Sequence, residues 1–411
     1  MNNNLVTILL LLAFATFQCS GQSVQDLLDG YSEPEGVVWD AQTATITFQK
    51  SGIIPFSQNG WDVPASVKKI FIKANVTITG RFDCAHNLLI EGEDRTTSVL
   101  FGTDQQGYAK QNGGGDKLSA IRVTAGNVTV KNLTSRNSKG FHFTSRGSSG
   151  FFEIIDCDLL DVRGGGGNNS DGIVTWGGGR VKNCYIASGD DAIKVYSDII
   201  VEDTHIEMIQ NTMPIQFGWG NYGSGAVGVF KNLKITGTSG RFNAGRAIIA
   251  ARTGNYDKTL TIDGLEVDNP NGSVFSFREG MGTFNITITN AKINVPTLIS
   301  DWNNGVQGTI TICGQQINQN STQNNWDCFN STATKESFLG QKSIFVFPNP
   351  VSDRLHLNEG DETPLFSIYD NLGRQVLSGQ YNKSGLEFNS HPSGTYFIRL
   401  DNNQVIPFVK Q

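Results

Sequence analysis

Two short stretches decide the fold: RVKNCYIA at 180–187 and IIVEDTHIE at 199–207. Each alternates apolar and polar residues for one short strand, reaches an Asn or Asp, and resumes with a small or apolar residue. The theme recurs as VTVKNLTS (128–135), FEIIDCDLL (152–160), VFKNLKIT (229–236), LTIDGLEV (260–267) and ITITNAKI (286–293). Aligned on Asn132, Asp156, Asn183, Asp203, Asn232, Asp263 and Asn290, the steps are 24, 27, 20, 29, 31 and 27 residues. A helical repeat would need longer runs of 3.6-residue period, and these are missing. Short alternating strands recurring every few tens of residues predict an all-β chain, a right-handed parallel β-helix. Each coil buries its inner face by stacking on its neighbours at about 4.8 Å.

Working outward, the alignment puts Cys157 and Cys184 in one column with Leu133, Thr204 and Leu233. The two thiols are therefore expected as stacked core residues rather than redox groups. Upstream, KKIFIKANVTITG (68–80) and NLLIEGEDRTTSVLFG (87–102) read as earlier, less regular coils, capped by residues 24–70. Downstream, the Ser/Thr/Asn-rich 318–337 gives way to IFVFPNPVSDRLHL, FSIYDNLGRQVLSG, SGTYFIRL and VIPFVKQ. These strands, with turn signals at Asp370-Asn371 and Gly373, predict a separate small C-terminal β-sandwich.

The composition agrees. The 411 residues include 47 Gly and 25 Phe, and only 17% are charged, a turn-rich, β-dominated balance. A net charge of −6 argues against nucleic acid as the ligand. The apolar run Leu5–Phe17, followed by Ser20 and Gly21, is too short to span a bilayer and reads as a signal peptide over 1–21. Phe17 and Gln18 do not suit lipid attachment at Cys19. No later segment is apolar for long enough to be a membrane helix. With Cys19 removed, five cysteines remain, an odd number without CxxC spacing, so neither a disulfide framework nor zinc is expected. Cys313 and Cys328 can close one loop in an oxidising compartment. The expected organisation is 1–21 signal peptide, 22–335 β-helix catalytic domain, and 336–411 C-terminal domain.

Chemistry concentrates in residues 168–194, NNSDGIVTWGGGRVKNCYIASGDDAIK. A lone Asp-Gly is ordinarily a turn. Asp190-Asp191 is harder to explain structurally, because neighbouring carboxylates repel and raise each other's pKa. Asp171 precedes Asp190 by about one coil, so stacking can bring all three together. Such a cluster suits glycoside hydrolysis, which needs one protonated carboxyl to donate to the leaving oxygen and an ionised one to activate water.

Residues 170–220 resemble the β-helix core of glycoside hydrolase family 49, the endo-dextranases and their relatives. The likeness rests on Asp171-Gly172, Asp190-Asp191-Ala192-Ile193-Lys194, and Pro214-Ile215-Gln216-Phe217-Gly218-Trp219. It is similar, more weakly, to the polygalacturonase family of the same clan. The resemblance implies inverting, endo-acting cleavage of α-glycosidic bonds, dextran being the first substrate expected, with Asp190 as general acid and Asp171 with Asp191 activating water. Lys194, Gln216 and Trp219 would lie in the cleft, and Trp176 and Arg278 are further candidates for substrate binding. No cofactor and no metal are implied. The amino-terminal β-sandwich of family 49 has no counterpart in the roughly 100 residues before the regular coils. The His and Arg-x-Lys of polygalacturonases are not evident after the Asp pair, which disfavours a uronic-acid substrate. Gln210 falls where some family 49 relatives carry a His. The tail, through Phe347-Pro348-Asn349-Pro350, Tyr369 to Gly373, Gly394-Thr395-Tyr396 and Phe408-Val409-Lys410, resembles the sorting domain of the type IX secretion system. That implies export by the type IX machinery to the surface or medium of a Gram-negative bacterium.

Other residues carry weaker signals. His205 reads as structural, and Arg246, Arg252 and Arg278 as coil caps or ion-pair partners before sugar ligands. The runs Gly164–Gly167 and Gly177–Gly179 lack the Lys-Ser/Thr of a phosphate loop. Trp176, Trp219 and Tyr222 have flat faces suited to sugar rings. The expected partners are a polysaccharide and the secretion machinery, with no nucleic acid and no membrane span, the protein acting as a monomer. Two alternatives stay open: a polysaccharide lyase, or a hydrolase of an acidic or sulfated glycan, with the aspartates as Ca²⁺ ligands in the lyase case; and a non-catalytic glycan-binding β-helix. Among nearby bases only Arg180 and Lys194 suit a lyase.

Overall fold

The computed structural model describes residues 22–147, 150–164, 167–237 and 247–329, and, near the carboxy terminus, 346–347, 351, 353–357, 364–370, 374–382, 385–400 and 405–410. The expected signal peptide with Cys19, Arg246, residues 348–350 and the turn 371–373 lie outside these. The chain divides into two compact units, Met1–Asn330 and Ser331–Gln411.

The first unit is a parallel β-helix, as the repeat predicts. Its conformational signature is the Asn/Asp column: Asn132, Asp156, Asn183, Asp203, Asn232 and Asn290 all have φ between 48° and 58°, in the left-handed region. Asn and Asp tolerate that region best among residues with a side chain. Each turns the chain from one strand into the next, as between Gly179–Lys182 and Tyr185–Ala187. Their side chains also bridge coils: Asn183 Nδ2 donates to Asp156 Oδ1 at 2.6 Å, and Asn232 Nδ2 to Asp203 Oδ1 at 2.9 Å. One assignment shifts. Lys231 pairs with Asp263 and Leu233 with Leu265, so the column position is Gly264, at φ 82°, and not Asp263. Glycine takes the left-handed turn there without a Cβ, and Asp263 instead accepts from Asn290 Nδ2 at 2.5 Å.

The position after the turn points inward on each of these coils. Leu133, Cys157, Cys184, Thr204, Leu233, Leu265 and Ala291 are all buried. Burial pushes the Cys157 thiol far above its ordinary pKa, which keeps it protonated and inert. The expectation of stacked core thiols holds.

A ten-stranded parallel sheet forms one face of the coil stack. In spatial order it runs Gly60–Asp62, Arg81–Cys84, Ile121–Val123, Phe143–Ser145, Ile173–Thr175, Ile193–Lys194, Ile215–Gln216, Ala247–Ala250, Ser273–Phe277 and Thr297–Trp302. Trp61, Phe82, Ile121, Phe143, Ile173, Ile193, Ile215, Ile249 and Phe275 share one register line and are fully buried. Side chains one residue later project from the opposite face, because successive residues alternate.

Both ends are closed. Helix Val24–Gly30 starts with a capping box between Ser23 and Asp26 and buries Leu27. At the far end, Gln315–Ile317 pairs antiparallel with Ile310–Ile312 and Asn325–Asp327 with Lys292–Asn294, covering an edge that parallel coils would leave open. Cys313 and Cys328 are joined in a disulfide with Cα atoms 6.1 Å apart, which pins this cap. Closing a loop of that length is worth about 3 kcal/mol. Cys313→Ser with Cys328→Ser is expected to lower the unfolding free energy by about that much, measured by urea denaturation of the unreduced protein.

The second unit has a three-stranded and a four-stranded antiparallel sheet. Leu355, Ile368, Phe388, Ile398 and Phe408 are among the residues of its core.

Candidate active site

The two aspartate motifs stack in register. Ile173 pairs with Ile193 and Val174 with Lys194. The same register places Asp171 beside Asp191, with Gly172 N donating to Asp191 O at 2.9 Å and Ile173 N to Ala192 O at 2.7 Å. The glycines that flank the acids serve this stacking. A Cβ on Gly172 would lie 2.4 Å from Ala192 O, and one on Gly189 within 2.7 Å of Gln210 Oε1, Ser170 Oγ and Asp161 Oδ2.

The three carboxylates converge. Asp171, Asp190 and Asp191 each offer an oxygen within 4.8 Å of the others. Asp171 and Asp191 are buried, whereas Asp190 is only half-buried. Lys194, also buried, ion-pairs with Asp171 and lies 3.4 Å from Asp191 Oδ2. Asp190 is held differently, its Oδ1 accepting from Asn211 Nδ2 at 2.9 Å and from the Asp191 N–H at 3.0 Å. Trp219 Nε1 donates to Asp191 Oδ2 at 3.4 Å. Asp191 Oδ1 is enclosed with no hydrogen-bond partner in the protein.

Burial and the charge of Asp191 push the Asp190 carboxyl up to about 6, against the opposing pull of Lys194 and Asn211. Burial pushes Asp171 well above the carboxylate range too; Lys194 opposes this and the two other acids add to it. Burial alone would lower the Lys194 pKa, but Asp171 and Asp191 outweigh it and hold the ammonium charged. Three acids against one ammonium retain a proton among them near neutral pH. Lys194 touches Asp171 and Asp191, whereas Asp190 is held by Asn211.

A raised carboxyl pKa destabilises the fold as pH rises, since the native state binds the proton more tightly than the unfolded chain. The stability contributed by protonated Asp190 is complete below about pH 4 and lost as pH rises through about 6. Asp190→Asn is thus expected to melt higher than the parent at pH 7 and to converge with it near pH 4, measured by calorimetry across that range.

The acid cluster has the composition of a cation site. Lys194 already supplies a positive charge against two of its three members.

The other expected residues divide. Gln216 sits beside Lys194 on the next strand, fully buried, with neither side-chain amide atom hydrogen-bonded. Trp219 and Tyr222 are 47% and 45% exposed on the loop that follows. Trp176 packs edge-on to Tyr196 at 4.7 Å and Tyr222 at 4.8 Å, with Arg146 over its ring at 5.0 Å. Arg278 is not gathered in: it follows the third strand beyond Lys194 and lies 3.9 Å from Glu279. Arg252 is buried with its guanidinium 5.9 Å from the Trp219 ring. Arg180 bridges Glu202 and Glu153, and His205 contacts Thr236 Oγ1 at 2.7 Å, both on the sheet away from the acids.

Sequence reasoning missed a second buried network. Asp161 pairs with Arg163 at 2.6 Å, both side chains almost wholly enclosed, and accepts from Ser170 Oγ. Ser170 Oγ in turn accepts from Gly189 N at 3.2 Å, and Gln210 Nε2 donates to Asp161 O at 3.2 Å. This network braces the turns that carry Asp171 and Asp190. His142 donates its backbone N–H to Asp171 O at 2.7 Å; burial pushes its ring to about 3, so the imidazole is neutral. Ser170, adjacent to Asp171 and one coil from Asp190, was the available signal.

Residues 345–410 match the family model of the secretion system C-terminal sorting domain. No curated protein sequence matches the chain. Among solved structures the chain is similar to Dex49A from Penicillium minioluteum, with 15% identity and a TM-score of 0.47 over 68% of this chain. The similarity spans 56% of Dex49A, a little over half its length.

Proposed function

We propose that this β-helix protein, which its type IX sorting domain marks as secreted or displayed at the surface of a Gram-negative bacterium, is a glycoside hydrolase. It cleaves α-glycosidic bonds within a polysaccharide, with Asp190 as general acid and Asp171 and Asp191 as the base that activates water. The observation that carries this reading is the asymmetric cluster. Three carboxylates converge within 4.8 Å, Lys194 ion-pairs with two of them, and the third, Asp190, is the more exposed one.

The unpartnered Asp191 Oδ1 and the Gln216 amide are suited to holding a water beside the base pair. The closest oxygen approaches fall below the roughly 6.5–9.5 Å between isolated acid and base carboxyls of inverting enzymes. In this site the water belongs to Asp171 and Asp191 jointly, and we expect inversion at the anomeric carbon. Proton NMR of fresh product reads that outcome.

A neutral glycan fits best, dextran first. Three cations around the cluster already face carboxylates: Lys194 on Asp171 and Asp191, Arg146 on Asp116, Arg163 on Asp161. The exposed faces nearby are Trp219 and Tyr222, which suit stacking on sugar rings. Acidic, pectic or algal glycans are the competing substrates.

The test is incubation of the purified protein with α-glucans, pectic and algal polysaccharides, with and without EDTA. Reducing ends and the ultraviolet absorbance of unsaturated uronates are followed together. The hydrolase reading expects reducing ends from a neutral α-glucan, no such absorbance, and no effect of EDTA. Absorbance abolished by EDTA would instead make the aspartates calcium ligands of a lyase. Binding without turnover would make the protein a glycan-binding β-helix.

A further inference from the structure

Lys258 is a lysine buried where no enzymatic role reaches it. It opens the strand Lys258–Asp268 and is 1% exposed. Its ammonium donates to three backbone carbonyls: Val195 O at 2.7 Å, Tyr222 O at 3.0 Å and Gly223 O at 2.5 Å. Those acceptors come from two neighbouring coils. Val195 directly follows Lys194, and Tyr222 and Gly223 belong to the loop that carries the exposed Trp219 and Tyr222. A buried ammonium is costly unless its donors are satisfied, and three carbonyls satisfy all three.

Tyr256, two residues earlier and likewise buried, holds the other end of that loop. Its hydroxyl contacts Gly218 O at 3.2 Å and Arg252 O at 2.6 Å. Trp219 N donates to Tyr196 Oη at 3.3 Å, and a Cβ on Gly223 would lie 2.1 Å from Tyr196 O, so the loop is pressed against the coil below. Residues 218–223 are therefore gripped at both ends, and the two exposed rings lie between the grips.

We propose that Lys258 is the positioning residue of the sugar-binding loop, fixing Trp219 and Tyr222 over the cleft by tying their backbone to the coil that bears Lys194. The use of the loop for sugar rests on the hydrolase reading; the tie itself does not. Two titratable groups face the ammonium: Asp198, and the Tyr256 ring 5.4 Å away. Burial, opposed by Asp198, lowers the Lys258 pKa to about 8. Tyr196 is pushed up to about 12 by burial, and Tyr256 is pushed higher still.

The experiment compares the full-length protein with Lys258→Met by amide hydrogen exchange and by kinetics on isomaltohexaose. The expected result is exchange about tenfold faster or more in residues 218–225, with the strands Ala226–Gly237 and Lys258–Asp268 unchanged. On isomaltohexaose, KM rises about tenfold while kcat stays within about twofold, a split that a general loss of stability would not produce. Unchanged exchange in the loop, or equal acceleration through all the coils, overturns the proposal. If neither protein turns over sugar, the hydrolase reading fails while the exchange result still decides the tie. If the variant does not fold, the parent is taken from pH 7 to above 9, with exchange corrected for base catalysis. Protection lost only in 218–225 supports the tie, and loop and strands changing in parallel overturn it.

Discussion

Asp190→Asn is expected to lower kcat on a susceptible α-glucan by about two to four orders of magnitude, the range for losing a positioned general acid. Substrate binding should change little, because the amide keeps the size of the carboxyl and an acceptor for Asn211, which holds Asp190 at 2.9 Å. The same variant is expected to be more stable at neutral pH. Greater stability with lost turnover is what a strained functional cluster gives, and a merely structural aspartate would give the reverse. The parent should lose activity as pH rises through about 6, where Asp190 gives up its proton. That alkaline limb must vanish from any residual activity of the variant.

The second large effect is expected from Lys194→Met. Removing the ammonium leaves three carboxylates clustered within 4.8 Å with no counter-charge from Lys194. The cluster then takes up a second proton at neutral pH, and the base is lost along with it. Turnover should fall about a hundredfold or more near pH 6, and whatever remains should have its optimum shifted upward, because without Lys194 a higher pH is needed to ionise Asp171. Breaking a buried ion pair also costs about 3–5 kcal/mol, so the melting temperature should fall. A pH–rate profile with parallel melting curves separates the two effects. An unshifted optimum would mean that Lys194 does not set the ionisation of the acids.

The coil repeat was legible because its turn has a strict backbone demand. Asn132, Asp156, Asn183, Asp203, Asn232 and Asn290 all sit in the left-handed region, and few residue types do that cheaply. Alignment slipped by one at Asp263, where Gly264 meets the demand instead and the neighbouring Asp imitates it. The ten-stranded sheet was harder to read. Ile193–Lys194 and Ile215–Gln216 are two residues long, too short to show alternation, and their partners lie a full coil away.

Within the site, the convergence of Asp171, Asp190 and Asp191 followed from spacing, since about one coil separates the motifs and stacking does the rest. The partners of Lys194 did not follow. A lysine three residues after Asp191 reads equally as a substrate ligand, and only the fold brings it onto Asp171. Trp176 looked like an open ring in sequence, but Tyr196, Tyr222 and Arg146 close around it. Arg278 had side-chain type alone in its favour, and the fold leaves it beside Glu279, three strands beyond Lys194. The Asp161–Arg163 pair drew no notice because it precedes a glycine run and matches no pattern.

The most direct test of the central claim is to digest a susceptible α-glucan with the parent protein in water enriched in heavy oxygen and to weigh the products. A hydrolase that activates water at the Asp171–Asp191 pair puts one heavy oxygen on each new reducing end, and Asp190→Asn forms few such ends. Products without the label, carrying an unsaturated end instead, would contradict the account, because the bond would then have broken by elimination.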